Sequence, residues 1–190
     1  MRVQDASLGW NQNTGMAATS ADKDYVHQTI RILKENGLEL EPVIGSRDCD
    51  VCADIIGEHM ENIDEVRQLH PRYVVVQLGE NSTLDEVASG KLRQEYQGLI
   101  EAIRARGAAR VFCVSDWDEA SLDDPRNASI RKAIGRYPDI RLVDITALAK
   151  HPENYGDTAI FANRDVTWHP GDLGMRRIAE SLAAAILESK

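Results

Sequence analysis

The chain has 190 residues, 43% apolar and 28% charged, a balance that fits one compact domain with a sizeable core and excludes a disordered or fibrous chain. Lys and Arg total 22 against 31 Asp and Glu, a formal net charge of −9 with no basic run or stripe, which argues against binding the phosphate backbone of a nucleic acid. No window approaches the roughly 18 consecutive apolar residues of a membrane span, and the opening MRVQDASLGW lacks the charged-then-apolar pattern of a signal peptide. Cys49, Cys52 and Cys113 are too few and too unevenly placed to staple a fold of this size.

In chain order, Thr19 or Ser20 can cap a helix with Val26, Ile30 and Leu33 on one face, stopping at Asn36-Gly37. Leu38 to Ile44 alternates at first and reads as a strand, although Pro42 weakens it, and Gly45-Ser46-Arg47-Asp48 follows as a loop. Ile55, Ile56, Met60, Ile63, Val66 and Leu69 recur at helical spacing before Pro71. Tyr73 to Leu78 is nearly continuous and β-branched, the pattern of a strand buried on both faces of a parallel sheet. A helix through Leu92, Tyr96, Leu99, Ile100 and Ile103 closes at Gly107, and Arg110 to Val114 is the next strand. A helix through Ile130 and Ile134, a strand over Ile140 to Ile145, and a last helix opened by Asp172 complete the series. Strict alternation predicts a single domain over 1–190 of the α/β class: a doubly wound sheet with right-handed crossovers and active groups on loops at the strands' C-terminal ends.

The segment Asp165 to Met175 lies between the last strand and the last helix. Pro170 removes a donor and restricts the residue before it, so His169 is held extended just ahead of a helix N-terminus, where an imidazole can serve as a general base or simply cap and pack. After the strongest strand comes Gly79-Glu80-Asn81, in which Gly79 permits a sharp turn and Asn81 offers an NH₂ to a developing oxyanion; the same residues also make an ordinary turn. Cys49-Asp50-Val51-Cys52 has no second pair for a zinc site and reads as two loop cysteines. Asp116-Trp117-Asp118-Glu119 reads as a solvated acidic loop, or as a pocket rim with a sugar-stacking Trp117. Trp10 and Trp168 line a cleft or pack, and His27, His59, His70 and His151 read as surface or packing residues.

Gly79-Glu80-Asn81, His169-Pro170-Gly171-Asp172 with Gly174-Met175, and Gly15-Met16-Ala17-Ala18 running into Asp22 to His27 together resemble the SGNH (GDSL-like) hydrolases, the last segment looking like the helix entry of one bacterial branch. The resemblance implies a flavodoxin-like parallel sheet in a three-layer α/β/α sandwich and a serine-type esterase or acetyl esterase acting on small-molecule or carbohydrate esters, with no metal or organic cofactor. It makes His169 the base, Asn81 an oxyanion donor and Gly45, by position, a second donor. Asp165 would orient the histidine, although the family commonly has Asp three residues before it, where Val166 stands here. The family's first block, a strand ending in Gly-Asp-Ser or Gly-Asn-Ser, has no counterpart, and Asp5-Ala6-Ser7-Leu8 is only a superficial likeness without a preceding apolar strand. A central strand buries about four apolar side chains worth roughly 1.5 to 3 kcal/mol each, so either Met1 to Ala6 supplies a substitute or the natural protein extends upstream. The alternative reading is an inactive relative that binds a glycan or a protein partner; oligomeric state and compartment are not encoded in these motifs.

Overall fold

A computed structural model describes residues 6–10, 14–15, 17–43, 69–105, 110–117 and 121–189. The expected helix from Ile55, Gly45, the Cys49–Cys52 pair, His59 and the substitute strand within Met1 to Ala6 lie outside them, save that Ala6–Leu8 forms a 3₁₀ turn. Two compact units emerge, Asp50–Thr146 and the combination of Met1–Cys49 with Ala147–Lys190.

Among the described residues, the Asp50–Thr146 unit holds three parallel strands in the order β1 (Tyr73–Val76), β2 (Arg110–Val114) and β3 (Arg141–Val143). Tyr73 pairs with Arg110 and Phe112 with Arg141, so the strands step along without a slip. Helices α2 (Leu84–Ser89) and α3 (Lys91–Arg104) connect β1 to β2, and α4 (Pro125–Ile134) connects β2 to β3. Alternation along β1 and β2 sends Val76, Val111 and Cys113 to one face, where Leu92, Tyr96, Leu99, Ile100 and Ile103 of α3 meet Ile130, Ala133 and Ile134 of α4 in one core. Each fully buried Leu or Ile contributes roughly 1.5 to 3 kcal/mol, so this face is a large contributor to the unit's stability. The Cys113 thiol, pushed up to about 12 by burial, is a packing group there. Burial of β1 is less complete than its apolar run predicts: Val76 is buried, but Val75 is 39% exposed.

The second unit is built on α1 (Tyr25–Glu35) packed against α6 (Asp172–Leu187). Along α6 the buried positions Met175, Ile178, Ala179, Leu182, Ala183 and Ile186 recur three and four apart, the stripe of a half-buried helix. The expected cap of α1 is corrected by the structure. Ala21–Lys23 forms a 3₁₀ turn, and Asp24 takes the N-cap, accepting from the His27 amide at 2.9 Å. Thr19 is drawn elsewhere, donating from its amide and hydroxyl to the Asp172 carboxylate at 2.8 and 2.7 Å. Leu38 to Val43 is not a strand, consistent with Pro42 and an exposed Val43. Before α6 a short helix, α5 (Arg164–Thr167), carries the approach to the histidine segment. Among the described residues, no helix is long and apolar enough to cross a membrane.

Candidate functional site

His169 is fixed by its backbone. Its amide donates to the Val166 carbonyl at 3.1 Å, continuing the helical turn of α5, and its own carbonyl accepts from Gly156 N–H at 2.9 Å. The next residue, Pro170, pairs with Tyr155 in an antiparallel bridge, and Gly171 N–H donates to the Asn154 carbonyl at 2.8 Å. The two passing chains lie so close that a Cβ on Gly171 would sit 2.5 Å from the Tyr155 carbonyl oxygen. His169 is half-buried with its Nδ1 buried, and its ring lies 4.0 Å from that of Trp168, tilted 36°. An imidazole so constrained loses little rotamer freedom when it takes or gives a proton, which is what a general base requires.

Asp165, in α5, stands four residues before His169, which follows the C-cap Trp168. It is exposed, and among the described residues its carboxylate makes no hydrogen bond; its amide is held by Asn163 Oδ1 at 2.8 Å. Val166, three residues before the histidine, is 1% exposed in a cluster with Trp10 and Ala17. That position points into apolar packing, so a carboxylate there would have to be buried. Trp10 packs rather than lining a cleft: it is fully buried and meets Phe161 at 5.4 Å.

Immediately after His169, Asp172 opens α6 and gathers Thr19 and Lys23 Nζ, the latter at 2.7 Å. Partial burial opposes ionisation of Asp172, but the Lys23 ammonium and the Thr19 donors outweigh it and hold its carboxyl below the usual range. The same carboxylate raises Lys23 above the usual ammonium range. An anion at a helix N-terminus also suits the macrodipole. His27, read from sequence as a surface or packing residue, bonds through Nδ1 to the buried Asp24 carboxylate at 2.8 Å.

Asn81 belongs to the other unit, on the loop that leaves β1. Gly79 has φ +112°, and Ser82 N–H closes the turn onto the Gly79 carbonyl at 3.0 Å. The positive φ is what calls for glycine, and a Cβ there would also make a tight 3.3 Å contact with Ile130 Cδ1. The turn is fastened downstream by a capping box: Glu86 N–H donates to Thr83 Oγ1 at 3.2 Å while Thr83 N–H donates to Glu86 Oε2 at 2.9 Å. Asn81 is exposed, and among the described residues its carboxamide makes no hydrogen bond, leaving the NH₂ available to a bound group.

The loop after β2 departs from expectation. Asp116 and Trp117 are 4% and 3% exposed, not solvated, while Asp118 and Glu119 lie outside the described residues. Ser115 Oγ accepts from Ile145 N–H at 2.9 Å, tying the ends of β2 and β3 together. Sequence reasoning passed over Arg126 and Asn127 on α4, whose side chains reach these loops. The available signal was their place in the first turn of the helix that follows β2. Among the described residues no group of three His, Cys, Asp or Glu side chains could hold a metal ion.

No family model and no curated protein matches the sequence. Solved structures do. A lipase from a goat rumen metagenome, Lip_vut3, superposes with a TM-score of 0.61 at 17% identity, covering 85% of this chain and 87% of that one. TesA gives a TM-score of 0.61 at 15% identity over 97% of this chain and 95% of its own. The family 3 carbohydrate esterase of Clostridium thermocellum gives 0.61 at 17% identity, with 87% of each chain covered. Likeness of this kind establishes the fold: the chain has the three-layer α/β/α arrangement with a parallel sheet that the resemblance to SGNH hydrolases implied.

Proposed function

We propose that this chain is a serine-type ester hydrolase acting on small acyl esters, acetyl groups on carbohydrate among them. The reading is supported by fold neighbours that are a lipase and a carbohydrate esterase. The observation that carries it is His169: a half-buried imidazole pinned by backbone hydrogen bonds on both sides, directly before the N-terminus of α6. In this mechanism a serine hydroxyl attacks the acyl carbon while His169 takes its proton, then returns it to the leaving alcohol. The Asn81 NH₂ donates to the oxyanion, with Gly45 N–H as the second donor, and Asp165 favours the imidazolium electrostatically from one turn away.

A second reading, an inactive domain that binds a glycan or protein partner, is favoured by one observation. The residue three before the histidine is a core valine, and the Asp165 carboxylate is exposed rather than bonded to the ring. Hydrolysis of p-nitrophenyl acetate by the parent, His169→Ala and Ser7→Ala separates the two. The hydrolase reading predicts turnover lost on His169→Ala, and loss on Ser7→Ala as well would make that residue the nucleophile. A parent equal to His169→Ala in rate would sink the hydrolase and leave the binding domain.

A further inference from the structure

The turn that presents Asn81 ends at Ser82, a 7% exposed residue whose carbonyl accepts from Arg126 Nε at 2.8 Å. Arg126 is the second residue of α4, directly after Pro125, so its backbone is set by the helix start rather than by the loops it touches. Its side chain is 19% exposed, and Nη1 stands 3.7 Å from Oδ2 of Asp116, whose side chain is fully buried. Asp116 is held from the other direction, its N–H donating to Asn127 Oδ1 at 2.8 Å, and Asn127 is itself 1% exposed. Two adjacent side chains of one helical turn thus reach the loops leaving two neighbouring parallel strands, β1 and β2.

Charge neutralisation of Asp116 would require any cation. The bond from Nε to a main-chain carbonyl does something more, because the planar guanidinium fixes the direction from Asp116 to Ser82 in a way a lysine ammonium cannot. Asn81 is next to that carbonyl and exposed, so its aim depends on where its backbone is held. An oxyanion donor acts within about 2.7–3.1 Å, and a misplacement of about 1 Å can cost on the order of 100-fold in rate. We propose that Arg126 is the positioning residue of the Asn81 turn, gripping Ser82 from α4 with Asp116 as its buried counter-charge. This rests on the reading of Asn81 as an oxyanion donor.

The informative variant is Arg126→Lys, which keeps a cation for Asp116 but loses the fork; Arg126→Ala is the severe form. Two readouts keep the proposal and the hydrolase reading apart. The first is amide hydrogen exchange at Ser82, whose N–H closes the turn on Gly79. It accelerates about tenfold or more in Arg126→Lys while the α3 amides of Leu99 and Ile100 stay protected. Unchanged exchange at Ser82 overturns the proposal whether or not the protein is an esterase. The second is p-nitrophenyl acetate kinetics in a cycle with Asn81→Ala. Arg126→Lys lowers kcat about tenfold with KM nearly unchanged, and costs almost nothing further when Asn81 is already Ala. Equal losses with and without Asn81 overturn the positioning role. A parent without turnover defeats the hydrolase reading and this residue's catalytic role with it, and is recognised by the absent parent rate.

Discussion

The two segments that carry the candidate chemistry are held in opposite ways. His169 is fixed by main chain against main chain: the Gly156 and Gly171 amides, the Tyr155–Pro170 bridge and a contact too close for any side chain. The Asn81 turn is fixed mainly by side chains, with Arg126 on the Ser82 carbonyl and the Thr83–Glu86 capping box behind it. Main-chain clamping tolerates almost any change of side-chain chemistry but no added Cβ, whereas side-chain clamping is broken by one polar substitution that leaves the core intact. Both groups need a fixed place, and the two segments reach it by different means.

That contrast orders the expected effects. The largest is Gly171→Ala, where the new Cβ meets the Tyr155 carbonyl at 2.5 Å; overpacking of this kind costs about 3 kcal/mol, a fall in Tm of roughly 6–12 °C for a chain this size. A scan showing no shift would mean the two strands of chain part easily, and the comparison would fail. Gly79→Ala comes next: φ +112° and the 3.3 Å approach to Ile130 predict about 2 kcal/mol, read as a lower urea midpoint with unchanged slope. Thr83→Ala removes the cap on α2 and should cost about 1 kcal/mol. Its kcat on p-nitrophenyl acetate should fall less than that of Arg126→Lys, because Thr83 grips the far side of the turn from Asn81. Asp165→Asn should change kcat/KM by less than about threefold, since the carboxylate is exposed and unbonded to the ring; a loss of about 100-fold or more would show that it closes on His169 during the reaction.

The smallest effect is a pH dependence at the start of α6. Asp172 has its folded pKa lowered from 3.8, so its contribution is complete above that value and is lost as the pH falls through the lower folded one. Lys23 is raised from 10.5, so its share is complete below that value and is lost as the pH rises through the higher folded one. Urea midpoints for parent and Asp172→Asn should therefore differ at pH 6 and converge as the acid limb is descended. Parallel curves would remove the Asp172 tie from the account.

Where packing decides, the elements were legible. The apolar run of β2 marks Arg110–Val114 without error, and the spacing of Leu92, Tyr96, Leu99 and Ile103 marks α3, because both bury those residues in one core. Where long-range polar bonds decide, they were not. Thr19 reads as a helix cap but is taken by Asp172, 153 residues away, which leaves the cap to Asp24. Asp116 reads as solvated because nothing local announces Arg126, and Arg126 is passed over because the loops it reaches are distant in sequence. His169 and Asn81 were legible as chemistry-bearing types on strand-end loops, while the burial of Val166 depends on Trp10 and Ala17, far upstream.

The central claim is that His169 activates a serine, and covalent labelling reaches it most directly. Incubation with a fluorophosphonate, followed by intact mass and peptide mapping, should show one serine phosphonylated in the parent and a rate of labelling at least about 100-fold slower in His169→Ala. No label, or a label that forms equally fast without His169, would contradict the account.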